Sequence, residues 1–102
     1  MPKWYDSAVI ADSASFGAGK TKTADISEYR TPAVCVALES LDGSAGDTIT
    51  VEVVGSAGTY EVDSRTLSAT GSYIVEVPQA TTVRVTSANG TIISAEARNN
   101  PR

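Results

Sequence analysis

β-Branched residues dominate this chain. Val, Ile and Thr together number 29 of its 102 residues, against 3 Leu. Their stiff side chains suit a pleated surface and lose rotamer freedom in a helix. Leucine, the usual residue of helix cores, is nearly absent. Ser and Thr number 12 each and Gly 8, which fits many short turns. A chain of this length forms one domain and buries roughly two-thirds of its unfolded surface.

Strand patterns recur every 8 to 14 residues, with turn residues between them. That spacing predicts a sandwich or small barrel. The predicted strands are Ser7–Ala11, Lys20–Ile26, Ala33–Leu38, Thr48–Val54, the Tyr60–Asp63 region, Ser72–Val77, Thr82–Thr86 and Thr91–Ala97. Ala33–Leu38 is apolar at every position and reads as a strand buried on both faces or a central strand. Thr48–Val54 alternates, with Ile49, Val51 and Val53 on one face. In the same phase Tyr60, Val62, Tyr73, Val75, Val77, Val83 and Val85 point inward. Asn89-Gly90 predicts a hairpin, because both residues tolerate positive φ. Asp25–Arg30 is the one stretch with helical character, and it is too short to stand alone. The expectation is an all-β antiparallel sandwich of seven or eight strands, jelly-roll or Ig-like. It spans residues 7–97, between an N-terminal arm at 1–6 and a C-terminal tail at 98–102. Gly58-Thr59-Tyr60-Glu61-Val62 echoes Gly71-Ser72-Tyr73-Ile74-Val75, which reads as two turns feeding strands.

Composition argues against most chemistry. The chain has no His, which removes Ser-His-Asp and Cys-His catalysis and most zinc sites. It has one Cys, so no internal disulfide forms. Lys and Arg number 8 against 12 Asp and Glu, a net charge of −4 that disfavours nucleic acid as a partner. The N-terminal apolar run, Ala8–Ala11, is far short of a secretory or membrane-spanning segment. We therefore expect no enzymatic activity, no cofactor, no metal and no membrane partner.

Individual motifs read the same way. Ala14–Thr21 (ASFGAGKT) loosely fits a phosphate-binding loop, with Lys20 and Thr21 in the phosphate and magnesium positions. That loop needs a following helix. Lys20-Thr21-Lys22-Thr23 alternates like a strand instead, so the segment is expected to be a glycine-rich turn. Asp42–Asp47 (DGSAGD) supplies too few oxygens for calcium and is expected to be a hairpin loop whose Asp residues cap turns. Cys35, between Val34 and Val36, is expected to be a small buried apolar group. Asn89-Gly90-Thr91 fits a glycosylation sequon but is better explained by the turn.

Trp4 and Tyr5 lie in the short arm before the first strand. Such a pair either folds back as a lid or anchors on a neighbouring chain. With Tyr29 they form the candidate partner-binding set. Two segments carry a family resemblance: Thr23-Ala24-Asp25-Ile26-Ser27-Glu28-Tyr29-Arg30, leading into Ala33–Leu38, and Ala80–Ser87 (ATTVRVTS). In these the chain resembles the small head-decoration (capsid cement) proteins of tailed bacteriophages. The resemblance is one of pattern over residues 7–97. It implies a non-enzymatic virion protein, a homo-oligomer such as a trimer, bound to the major capsid protein at the capsid surface and assembled in the host cytoplasm. The alternative is a soluble β-sandwich binding module for carbohydrate or a cell-surface partner.

Overall fold

The computed structural model describes residues 6–41 and 46–99. Its strands are β1 (Asp6–Ala14), β2 (Lys20–Asp25), β3 (Pro32–Ser40), β4 (Asp47–Gly55), β5 (Gly58–Leu67), β6 (Gly71–Glu76), β7 (Thr82–Ser87) and β8 (Ile92–Asn99). They form two four-stranded sheets, β1-β8-β3-β6 and β2-β7-β4-β5, in which every pairing is antiparallel. Only β4 and β5, joined at Gly55–Gly58, are sequence neighbours within one sheet. Every other connection passes from one layer to the other. This strand order is a jelly roll. Of the two topologies the strand pattern allowed, the structure selects that one. No helix among the described residues is long and apolar enough to cross a membrane.

The core lies between the sheets and follows the alternation of the strands. Val34, Val36 and Leu38 of β3 and Ile93, Ala95 and Ala97 of β8 face Ile49, Val51 and Val53 of β4 and Val83 and Val85 of β7. Val75 and Val77 close one flank and Ile10 the other, and Ile26 is fully buried. These branched side chains interdigitate across the two inner faces, where each contributes roughly 1.5–3 kcal/mol by burial. Pro32 sits at the first residue of β3, where its missing N–H costs no central ladder bond. Its carbonyl accepts from the Val77 N–H at 3.1 Å.

Several boundaries and turns differ from expectation. β8 runs on through Arg98 and Asn99, into the predicted tail. Asn99 Oδ1 accepts from the backbone N–H groups of Arg30 and Thr31 at 3.1 and 3.2 Å, which ties the end of β8 to the bend before β3. Asn89-Gly90 does not make a hairpin. β7 and β8 belong to different sheets, so the segment carries the chain between layers. A buried carboxylate directs it. Asp47, 1% exposed, accepts hydrogen bonds from Ser87 Oγ, from the Asn89 N–H at 2.8 Å and from the Thr91 N–H at 3.3 Å. Asn89 Nδ2 returns a bond to the Gly46 carbonyl at 2.7 Å. Asp47 thus caps a turn, as expected, but the turn lies 40 residues away in sequence. Asp42 lies outside the described residues.

The ASFGAGKT segment is the turn from β1 to β2. Gly17 and Gly19 have φ of 95° and 72°, and the Gly19 N–H donates to the Ser87 carbonyl at 2.8 Å. Asp25–Arg30 forms a turn in which Asp25 Oδ1 accepts from the Ser27 N–H at 2.8 Å and the Ile26 carbonyl from the Tyr29 N–H at 3.0 Å.

Candidate functional site

The two outer faces of the sandwich differ in chemistry. On the β2-β7-β4-β5 sheet, Thr21, Thr86, Thr50 and Ser64 stand in one row across all four strands. The next row is Thr23, Arg84, Glu52 and Glu61. Thr48 and Thr66 hydroxyls meet at 2.9 Å, and those of Thr50 and Ser64 at 3.4 Å. This is a solvated face with its polar groups paired across strands.

The outer face of β1-β8-β3-β6 is different. One row runs Val9, Glu96, Cys35, Ile74. The next brings Ser94, Ala37 and Ser72 together. Val9 is 66% exposed and Ile74 63%, and Ile92 further along β8 is also open. A groove of about 780 Å³ lies over these rows, with Cys35 and Ala37 in its lining between Val9 and Ile74. Asp12, Glu96 and Arg98 also line it. Arg98 Nε donates to Glu96 Oε1 at 2.6 Å. Ser94 Oγ donates to Glu39 Oε2 at 2.9 Å, and hydrogen bonds from Ser13 and Ser94 hold the Glu39 carboxyl below its ordinary value. Among the described residues no group of three or more Cys, Asp or Glu is placed to hold a metal.

The expected site residues fall out unevenly. Trp4 and Tyr5 lie outside the described residues. Tyr29 is 6% exposed and packs in the core, so its ring is not open to a partner in the folded chain. Cys35 is not buried on both sides. β3 alternates, with Val34 and Val36 inward and Cys35 half-exposed on the outer face. Tyr60 keeps an inward phase, opposite Val53, but it lies on edge strand β5 and is 53% exposed. A bulge at Glu61–Asp63 breaks the alternation there, and Val62 packs against the core. Tyr73 is half-buried. Arg65 of β5 stands 4.3 Å from its ring centroid, joining the edge strands of the two sheets. Desolvation, with a contribution from the Asp63 charge, raises the Tyr73 hydroxyl to about 12.

No family model matches the chain. No curated protein matches it either. Solved structures do. A structure titled for Bacillus endospore appendages, described as a novel family of disulfide-linked pili, aligns over 96% of this chain and 88% of that one, with a TM-score of 0.51 and 17% identity. The VP2 subviral particle of infectious bursal disease virus aligns over 94% of this chain and 32% of its own, with a TM-score of 0.49 and 11% identity. At these identities the likeness is one of fold. The sequence does not single out this outer face. Val9 and Ile74 read there as ordinary strand apolar residues, and only the sheet order shows that they share one outer face.

Proposed function

We propose that this chain is a non-enzymatic structural subunit, a virion protein that decorates or cements a phage capsid by binding the major capsid protein. The observation that carries the reading is the unequal pair of outer faces. One is hydroxylated and charged. The other exposes Val9 and Ile74 in the lining of a groove that also holds Asp12, Glu96 and Arg98, with Ile92 further along β8. The exposed Val9 and Ile74, at the two ends of one row across the sheet, support this face as the one that meets another protein. The phage-family resemblance supports the capsid as the surface bound. The fold shared with Bacillus endospore pili supports the broader idea of a repeating subunit. The site of action is then the outside of a capsid, with assembly in the host cytoplasm and no cofactor.

The test is to mix the purified protein with expanded phage shells and sediment them. The expected result is saturable co-sedimentation at a fixed ratio to capsid protein and a rise in the shell's melting temperature. A protein that saturates no shell and instead retains a sugar on a glycan array overturns the reading in favour of a binding module, with Tyr60 as its open aromatic.

A further inference from the structure

We infer that β6 pairs with β6 of a second copy of this chain, antiparallel about a two-fold axis at Ile74, so that two four-stranded sheets join into one of eight strands. The inference goes beyond the structural-subunit reading and needs no capsid. It sets a two-fold pair where the phage resemblance implies a trimer.

A sheet edge offers backbone groups to any further strand, and folded proteins guard such edges with bulges, lysines or charges. Three of the four edges here carry a guard. β1 breaks register between Val9 and Ala11 and again between Ala11 and Ala14, and Ser13 near its end has φ of 47°. β2 carries Lys20 and Lys22. β5 has a register shift opposite Val51 and Glu52 and carries the charges of Glu61, Asp63 and Arg65. β6 differs. It keeps unbroken register with β3, contains no Lys or Pro, and has its one charge, Glu76, at its last residue.

The ladder fixes which backbone groups of β6 are open. The Val77 N–H bonds to the Pro32 carbonyl, one step beyond the Ala33–Glu76 pair. In an antiparallel ladder every second residue turns both its N–H and its C=O to the same neighbour. Tyr73 and Val75, in phase with Val77, therefore bond towards β3. Ser72 and Ile74 turn their N–H and C=O groups to the open side, where no other described backbone group meets them.

The same phase selects the register between copies. With Ile74 opposite Ile74 of the second copy, the two exchange both backbone bonds. Ser72 then stands opposite Glu76 in each direction, and no like charges meet. Only this register pairs Ser72, Ile74 and Glu76 all within the two strands. Centring the axis on Glu76 would set two carboxylates against each other. The Ile74 side chain, 63% exposed on the outer face, is covered by its twin. The contact is isologous, so it closes at two copies. It is also small, so it forms at high protein concentration.

Cross-linking reads the register in full-length protein carrying Cys35→Ser. Adding Ile74→Cys brings two Cα atoms about 5.5 Å apart, within disulfide reach, and a disulfide dimer is expected on oxidation. Ser72→Cys and Glu76→Cys, each in the same background, should stay monomeric alone, since like positions lie about 13 Å apart, and should link to each other when mixed. Absence of the Ile74→Cys link overturns the inference. So do self-links of Ser72→Cys as fast as those of Ile74→Cys. Sedimentation velocity from micromolar to millimolar concentration tests the backbone bonds. Wild type should dimerise. Ile74→Ala loses the side chain and keeps the N–H. Ile74→Pro loses the N–H too, without taking a bond from the β3 ladder. Its dissociation constant should exceed that of Ile74→Ala at least about tenfold, with an unchanged far-ultraviolet circular dichroism spectrum. If Ile74→Pro unfolds, the cross-links decide. Wild type that stays monomeric throughout overturns the inference, as do equal constants for two folded variants. A dimer that binds no shell rejects the capsid as partner and leaves the pairing standing. A monomer that saturates a shell rejects the pairing and leaves the structural reading standing.

Discussion

Asp47 is a carboxylate almost sealed from water, and its hydrogen bonds decide its charge. Burial alone would raise its pKa. The Ser87 and Thr91 hydroxyls and the Asn89 and Thr91 N–H groups outweigh that and hold it below its ordinary value. Thr91 Oγ1 makes no bond of good geometry, yet its dipole still favours the anion. Asp47→Ala leaves the Ser87 hydroxyl and the Asn89 N–H without their acceptor, at roughly 1–3 kcal/mol each, while the Thr91 N–H keeps Ser87 Oγ at 3.1 Å. The expected fall in Tm is on the order of 10 °C or more. Because the native state prefers the ionised form, its stabilising effect is complete above the unfolded pKa, about 3.9, and is lost as pH falls through the lower native value. Urea titrations of wild type and Asp47→Asn should therefore differ most near neutrality and converge in acid. Gly46, beside it, has φ of 77°, and a Cβ there would stand 2.2 Å from the Leu67 carbonyl oxygen. Gly46→Ala should cost at least about 2 kcal/mol, read as a lower urea midpoint with an unchanged slope. Sequence showed that an Asp in DGSAGD would cap a turn. It did not show which turn, since the partners come from β7 and the segment after it.

At the scale of elements, the period-2 pattern of apolar residues located all eight strands. It succeeded because β4, β7 and β8 each bury one face only. It failed where a strand departs from that rule. In β5 Tyr60 keeps the inward phase opposite Val53 but lies on an edge strand, so it reads as core and is open. Asn89-Gly90 has the dihedral freedom of a hairpin, but a turn between layers needs the same freedom. Gly90 takes φ of 79° in it. The β5–β6 flank carries a prediction of its own. Tyr73, held up to about 12, should give a late step in absorbance followed into alkali, and that step should disappear in Tyr73→Phe. The neutral form is preferred in the native state. Stability should therefore decline as pH rises from the unfolded value near 10 towards 12. Arg65→Ala removes the cation over the ring and the partner of Asp63, and should cost about 0.5–1 kcal/mol by chemical denaturation. Since the Arg65 charge lowers the Tyr73 value, that variant should titrate later still.

The whole molecule shows what no single strand does. Val9 of β1, Cys35 of β3 and Ile74 of β6 are far apart in sequence and meet in one row only because β8 lies between β1 and β3. That row could not be read from the chain without the strand order. Cys35 looked buried because its neighbours are apolar. In a two-layer sandwich every second residue of a strand faces outward, whatever its chemistry. A maleimide should therefore label Cys35 in the native monomer without denaturant. Labelling should slow several-fold in any assembly that covers the groove, and mass spectrometry of the two states reads the difference. Equal rates in free and assembled protein would mean that the groove stays open.

The strand order also dictates when the molecule can exist. β8 contains the last residues of the described chain to leave a ribosome, yet it takes a central place, pairing β1 on one side and β3 on the other. Until it emerges, β1 has no partner in its sheet and the apolar side chains of β3 have no neighbour on that flank. The one contact that forms early is the β4–β5 hairpin, because all other pairings join distant segments. Topologies of this kind fold slowly, in milliseconds to seconds, since long loops must close before any long-range pairing stabilises them. A chain cut short before Ile92 should accordingly be unfolded rather than partly functional. Nascent and truncated copies would have no assembled outer face to offer, and only finished chains would present it.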